Sequence, residues 1–239
     1  MHAAHGSRGP APAEATTREK ILLSWSGGKD SAMTLYEIQQ DRRYEIVALL
    51  TTVTEGYDRI SMHGVRRALL ERQAESLGVG LETVYIPPRS TNEIYESRMA
   101  EALGKYQREG IQAVAFGDLF LEDIRRYREE NLAKRGMRGV FPIWKRDTTE
   151  LARTFIRLGF KALTVCVDPR VLDPSFAGQM INEDFLRRLP PHVDPCGENG
   201  EFHSFVFGGP LFREEVKFTV GETVTRDSFC FCDLLPEEV

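Results

Sequence analysis

A chain of 239 residues with 41% hydrophobic side chains can bury one large core or two modest ones. Its formal charge of -5 argues against a broad electrostatic footprint for nucleic acid. No apolar run reaches the length of a membrane helix, and the first 18 residues lack the apolar heart of a signal peptide, so a cytoplasmic protein without nucleic-acid or membrane partners is expected.

Residues 1–18, rich in Ala, Gly, Pro, Ser and Thr, have no periodicity and read as a disordered leader. Beyond them apolar runs alternate with helical patterns. Strands are expected over 21–25, 46–53, 81–86 and 113–116, and helices over 30–40, 62–77 and 92–108. Val65, Leu69, Leu70, Ala74 and Leu77 mark the buried face of the second helix, with Gly78 at its C-cap. Ile94, Met99, Leu103 and Tyr106 mark that of the third. This alternation predicts an α/β fold with a Rossmann-like parallel sheet covered on both faces, whose ligands collect at the carboxyl ends of the strands. The segments 26–31, 51–57 and 117–118 should therefore converge.

Past about residue 146 the character changes. A helix over 148–158, a strand over 162–167 and β-like stretches at 204–207, 216–220 and 229–233, with turns at Gly208-Gly209-Pro210 and Gly221, predict a smaller C-terminal α+β domain. The chain divides on this reading into 19–145 and 146–239. Cys166, Cys196, Cys230 and Cys232 form no C-x-x-C, and alternation puts Cys230 and Cys232 on one face of a strand, so reduced, partly buried thiols are preferred to a metal site.

Two segments carry chemistry. Ser26-Gly27-Gly28-Lys29-Asp30-Ser31 follows a strand and opens a helix: glycines let the backbone approach an anion, and free N–H groups at the helix start point toward it. Neither G-x-x-x-x-G-K-[ST] nor G-x-G-x-x-G occurs. The second segment, C-G-E-N-G-E-F-H-S over 196–204, crowds Glu198, Asn199, Glu201, His203 and Ser204 around Gly197 and Gly200 at a strand entrance. Such a loop supplies hydrogen-bond partners and a general acid or base; a solvated turn with a capping acid is the plainer alternative.

S-G-G-K-D-S resembles the PP-loop of the ATP pyrophosphatases. Together with F-G-D at 116–118, Arg125-Arg126-Tyr127-Arg128-Glu129-Glu130, P-I-W at 142–144 and G-E-N-G-E-F-H-S, in this order, it resembles the diphthine-ammonia ligase family from Lys20 onward. That likeness implies an adenine nucleotide α-hydrolase-like domain followed by a family-specific one, and a ligase that releases pyrophosphate and AMP. ATP would lie over Ser24, Ser26, Gly27, Gly28, Lys29, Asp30, Ser31, Thr51 and Gly117. Asp30 and Asp118 would hold Mg2+, and Lys29, Asp118, Glu201 and His203 would carry the chemistry. Glu198, Asn199, Gly200, Glu201, His203 and Ser204 would face the acceptor, a small molecule or a modified protein aminated by ammonia or an amine, with a homodimer as one assembly. Diphthamide-making members resemble E-G-G-E-x-E where this chain has E-N-G-E-F-H, a form similar to a bacterial branch proposed to act in cobalamin metabolism. An enzyme of that metabolism and a non-catalytic adenine-nucleotide binder are the alternatives. Sulfur insertion into tRNA is disfavoured by the cysteine spacing and the acidic balance.

Overall fold

The computed structural model describes residues 18–60, 63–226 and 228–237. The expected leader falls, up to residue 17, outside them. The first unit runs β1 (Glu19–Ser24), α1 (Lys29–Gln40), β2 (Tyr44–Thr54), β3 (Arg59–Ile60), α2 (Arg67–Leu77), β4 (Gly80–Ile86), α3 (Asn92–Arg108), β5 (Ala113–Ala115), α4 (Glu122–Ala133) and β6 (Arg138–Val140). β1 pairs in parallel with β2 on one side and β5 on the other, β4 extends the sheet beyond β2, and β6 extends it beyond β5. Only the short β3 is antiparallel, folding back on the end of β2 through Val53 and Thr54.

The chain moves from β1 outward through β2 to β4 and then crosses back to β5 on the other side of β1, and the helices divide accordingly between two faces. Leu23, Leu49, Leu69 and Leu70 pack on the α1 and α2 side, whereas Leu22, Leu50, Leu103 and Tyr106 pack on the α3 side. The carboxyl ends of β1 and β5 thus mark the point where strand order reverses, the usual place for a ligand in an open α/β sheet.

The second unit adds α5 (Thr148–Arg157), β7 (Lys161–Val167), α6 (Glu183–Arg188), β8 (Phe202–Gly208), β9 (Phe218–Arg226) and β10 (Phe229–Pro236). Its antiparallel sheet has the order β8-β7-β10-β9. One buried cluster runs from Leu23 and Leu69 of the first unit through Phe155 and Phe205 to Cys232 of the second, so the two share a core. The edge of β8 lies on the turn after β1: Val206 N–H donates to the Gly27 carbonyl at 2.9 Å.

Several expectations are corrected. The second helix starts at Arg67 and not at 62, because Arg66 bridges back to Arg59 and Gly64 takes a φ of +71° before it; Met62 itself lies outside the described residues. Its C-cap Gly78 has a φ of +68°, as a left-handed cap requires. Ile94 is 42% exposed, so the buried stripe of α3 rests on Leu103 and Tyr106. Gly221 is no turn. β9 passes through it to Arg226, opposite a register slip between Cys232 and Leu234, where a glycine tolerates the irregularity. Cys230 and Cys232 are both buried, as the alternation predicts. β3, α4, β6 and α6 were not anticipated. Among the described residues no helix is long and apolar enough to cross a membrane.

Candidate active site

The turn after β1 is held from three directions. Gly27 has a φ of +78°, and a Cβ there would stand 2.8 Å from Gln73 Oε1. That oxygen accepts the indole N–H of Trp25 at 2.9 Å, while Gln73 Nε2 donates to the Gly27 carbonyl at 3.0 Å and to the carbonyl of Val206. A fully buried amide on α2 thereby fixes the turn against both units. A Cβ on Gly28 would meet the Ser204 carbonyl at 3.0 Å, and Ser204 Oγ accepts the Lys29 N–H at 3.0 Å. On the other side Ser31 Oγ donates to the Gly28 carbonyl at 2.8 Å and lies 3.3 Å from Ser26 Oγ. Ser24, Ser26 and Asp30 retain exposed surface, whereas Gly27, Gly28, Lys29 and Ser31 are buried. The solvent-accessible side of the turn is therefore the one that carries Ser26 and Asp30.

Lys29 is buried with its ammonium on both Asp30 oxygens, at 2.7 and 2.8 Å, and on the Cys196 carbonyl. Burial works against the charge, but the Asp30 carboxylate and further negative charge at Glu198 hold the pKa above the ordinary lysine value. Asp30 keeps 28% of its side chain in solvent, and Asp118 and Asp194 add negative charge around it. A Cβ on Gly117 would lie 2.9 Å from the Asp30 carbonyl carbon, so the loop after β5 packs on the first turn of α1. Asp118 faces Arg128 of α4: Nη2 donates to Oδ1 at 3.1 Å, and Nε stands 2.7 Å from Oδ2 as an ion pair without hydrogen-bond alignment. Thr51 lies inside β2 and not in the following loop, 3% exposed, with a buried hydroxyl that has no partner among the described residues.

The loop over 194–204 closes the site from the second unit. Glu201, 5% exposed, accepts from the Asp194 N–H at 3.0 Å, the Asn199 N–H at 3.0 Å and Asn199 Nδ2 at 2.9 Å. Its carboxylate is thus engaged in holding its own loop. Glu198 reaches across instead, accepting from the Leu119 N–H at 2.7 Å and more weakly from Phe120 at 3.3 Å. Burial pushes its carboxyl up to about 7, the bond from Leu119 opposing and Asp30 reinforcing the rise. Burial likewise drives the Cys196 thiol up to about 12, against the pull of Lys29, which removes it as a nucleophile at neutral pH. His203 stacks on His63 from the loop after β3, with ring centroids 4.4 Å apart. Burial and then Lys29 lower His203 to about 4, and burial and His203 place His63 well below the ordinary imidazole value. Both rings are neutral at pH 7.

Two family models cover these two units. The diphthamide synthase N-terminal domain matches residues 19–139, and the C-terminal domain matches residues 147–235. The chain belongs to the diphthamide synthase family. Similar proteins include the diphthine--ammonia ligase of Rattus norvegicus, 26% identical over 237 residues, covering 89% of this chain and 87% of that protein. That of Homo sapiens is 26% identical over 235 residues, with 89% of this chain and 87% of that protein covered. That of Schizosaccharomyces pombe is 28% identical over 238 residues, 90% of this chain and 38% of that longer protein.

The motifs that carry the family likeness meet around one edge of the sheet. Arg125 places its guanidinium 4.6 Å from the Phe141 ring and 4.7 Å from that of Trp144, and donates to Glu129 at 2.8 Å, while Arg128 covers Phe116 at 4.5 Å. These contacts hold the loop that bears Gly117 and Asp118. Behind it a cavity of about 650 Å³ opens between α3 and α4, floored by Leu50, Val114 and Phe116 and touching Arg128; no residue of the turn over 26–31 lines it. Among the described residues no group of three or more His, Cys, Asp or Glu could by itself hold a metal ion. Gln73 and His63 escaped the sequence reading. A polar residue among the apolar positions of α2 was the available signal for Gln73, but nothing local set His63 apart.

Proposed function

We propose that this chain is an ATP-dependent, AMP-forming ligase of the cytoplasm that adenylates an acceptor carboxylate and transfers ammonia or an amine to it. The observation that supports this reading most directly is the seating of β8 and its polar loop on the PP-loop turn, through Ser204 on Lys29 and Val206 on Gly27. Residues suited to an acceptor then stand beside residues suited to a phosphate. The relatives' name, diphthine--ammonia ligase, agrees with that chemistry.

On this reading the triphosphate lies along the open side of the turn, near Ser26, Ser31 and the first amides of α1. Lys29, held charged, supplies fixed positive potential at the point where charge develops on the leaving pyrophosphate. Asp30 and Asp118 are the carboxylates that fit Mg2+, which takes one or two protein ligands and completes its shell with phosphate and water. Bound there, it would neutralise phosphate charge. Asp118 Oδ2 makes no hydrogen bond but stands 2.7 Å from Arg128 Nε, so an ion held there would share the carboxylate with that guanidinium. Glu198, with its raised pKa, spans from the acceptor loop to Leu119 and can give or take a proton near neutrality. Glu201 acts by holding the loop. His203 replaces the acid of the diphthamide-making pattern with a neutral ring, so a cationic acceptor such as diphthine is expected to be a poor substrate, and a corrinoid carboxylate is the first alternative to assay.

The test is to supply ATP, Mg2+, ammonium and candidate acceptors and to measure pyrophosphate separately from phosphate. Pyrophosphate and AMP released in equal amounts, dependent on acceptor, support the reading. Release of phosphate and ADP instead would overturn it.

A further inference from the structure

His63 and His203 come from different units and meet beside the PP-loop with their ring planes tilted by 30°. The hairpin that carries His63 is fastened by the second sheet: Asp233 of β10 accepts from Arg59 at 2.8 Å and from Arg66 at 2.7 Å, and Arg59 also donates to the Gly64 carbonyl at 2.7 Å. The ring of Phe231 lies so close to Gly64 that a Cβ there would be 2.7 Å from it. Asp233, its carboxyl held down to about 2 by the two arginines against the effect of burial, stays charged at any working pH. His203 is fixed by its place in β8, one residue before the Ser204 that binds the Lys29 amide. Much structure therefore goes into holding two rings in contact.

That contact has an unusual feature. Among the described residues His63 Nδ1 is buried and has no hydrogen-bond partner, although a buried polar nitrogen costs roughly 1–3 kcal/mol when left unpaired. The groups facing the pair are Lys29 from α1, Glu201 from the loop and the Ser204 backbone. The lysine is cationic and repels a second cation. A site with an unused acceptor nitrogen, two neutral imidazoles and a fixed positive charge selects a small, neutral hydrogen-bond donor.

We propose that the His63–His203 pair is the seat of the nitrogen nucleophile, which binds there as free ammonia or a small primary amine, with His63 Nδ1 accepting one of its N–H bonds. The proposal rests on the ligase reading for its chemical step. As nitrogen attacks the acyl carbon of the adenylate, the C–N bond forms and an N–H proton passes to an imidazole of the pair. The C–O bond to the AMP phosphate breaks, and its electron pair leaves with AMP. One imidazolium remains and returns its proton to solvent, and the ring stacked on it disfavours a second charge.

The test needs no known acceptor. The full-length protein, labelled with 15N-histidine, is titrated with ammonium chloride at about pH 9, where much of the total is free ammonia, and again at about pH 6, where nearly all is ammonium, with potassium chloride as the control. The two ring signals are assigned by His63→Gln and His203→Gln, either of which suffices. Saturable shifts of both rings at the higher pH, at least tenfold weaker at the lower pH and absent with potassium chloride, are expected. No shift, or one that follows total ammonium or salt, overturns the proposal. ATP binding to the same sample, followed by calorimetry, keeps the two claims apart. If ATP binds and the rings ignore ammonia, this inference fails alone; if the rings respond and ATP does not bind, the ligase reading fails and the ammonia seat stands.

Discussion

Two residues of the 194–204 segment should bend the stability of this protein with pH in opposite directions. His203 has a folded pKa of about 4 against an ordinary 6.5, so the unfolded chain binds more protons between those values and stability is lost as the pH falls through that window. Glu198 has a folded pKa of about 7 against an ordinary 4.5, so the folded chain binds more protons between them and stability is gained over nearly the same window. At 1.36 kcal/mol per pKa unit each full shift corresponds to about 3 kcal/mol, and partial solvent contact reduces the effect at pH 5 to roughly 1–2 kcal/mol apiece. The wild-type curve therefore hides opposing slopes, with His63 adding to that of His203. His203→Gln should gain about 1–2 kcal/mol relative to wild type between pH 7 and pH 5, and Glu198→Gln should lose about as much. Urea denaturation read by tryptophan fluorescence, repeated at several pH values, measures both. If all three proteins show parallel stability curves from pH 7 to pH 5, neither side chain is desolvated as described.

Asp118→Asn leaves the Arg128 guanidinium, with its buried Nε, short of its counter-charge, so a loss of about 2–3 kcal/mol is expected in the same assay. That is larger than the change of under about 1 kcal/mol that an exposed loop carboxylate would give, and a change that small would mean the pair is not formed. Gln73→Leu removes the amide that ties Trp25, Gly27 and Val206 together and should cost about 3 kcal/mol while weakening ATP binding, measured by calorimetry. Unchanged ATP affinity in a folded Gln73→Leu protein would show that the turn is shaped without it.

Much of the first unit was legible along the chain because its signals are local. Apolar runs of strand length, the helical spacing of Leu69, Leu70, Ala74 and Leu77, and a glycine where a left-handed cap was due each depend on neighbours a few residues away. S-G-G-K-D-S announced its turn for the same reason: glycines and a helix start are adjacent in sequence. The short β3 and β6 gave no such pattern, since two or three residues cannot display a period and exist as strands only because a partner is there to bond them.

The site itself was decided by folding. Glu198, Glu201 and His203 sit within six positions and look alike as polar loop residues, yet one reaches the loop of Asp118, one turns inward on Asp194 and Asn199, and one stacks on a histidine 140 positions earlier. Composition carries no direction for a side chain; only the packing of β8 against the PP-loop turn sets it. The same holds for charge. The sequence by itself determined that Lys29, Asp30, Asp118 and the histidines would be present, but burial and the distances between them determined which are ionised, because a proton's affinity depends on nearby charge and excluded water rather than on residue type alone.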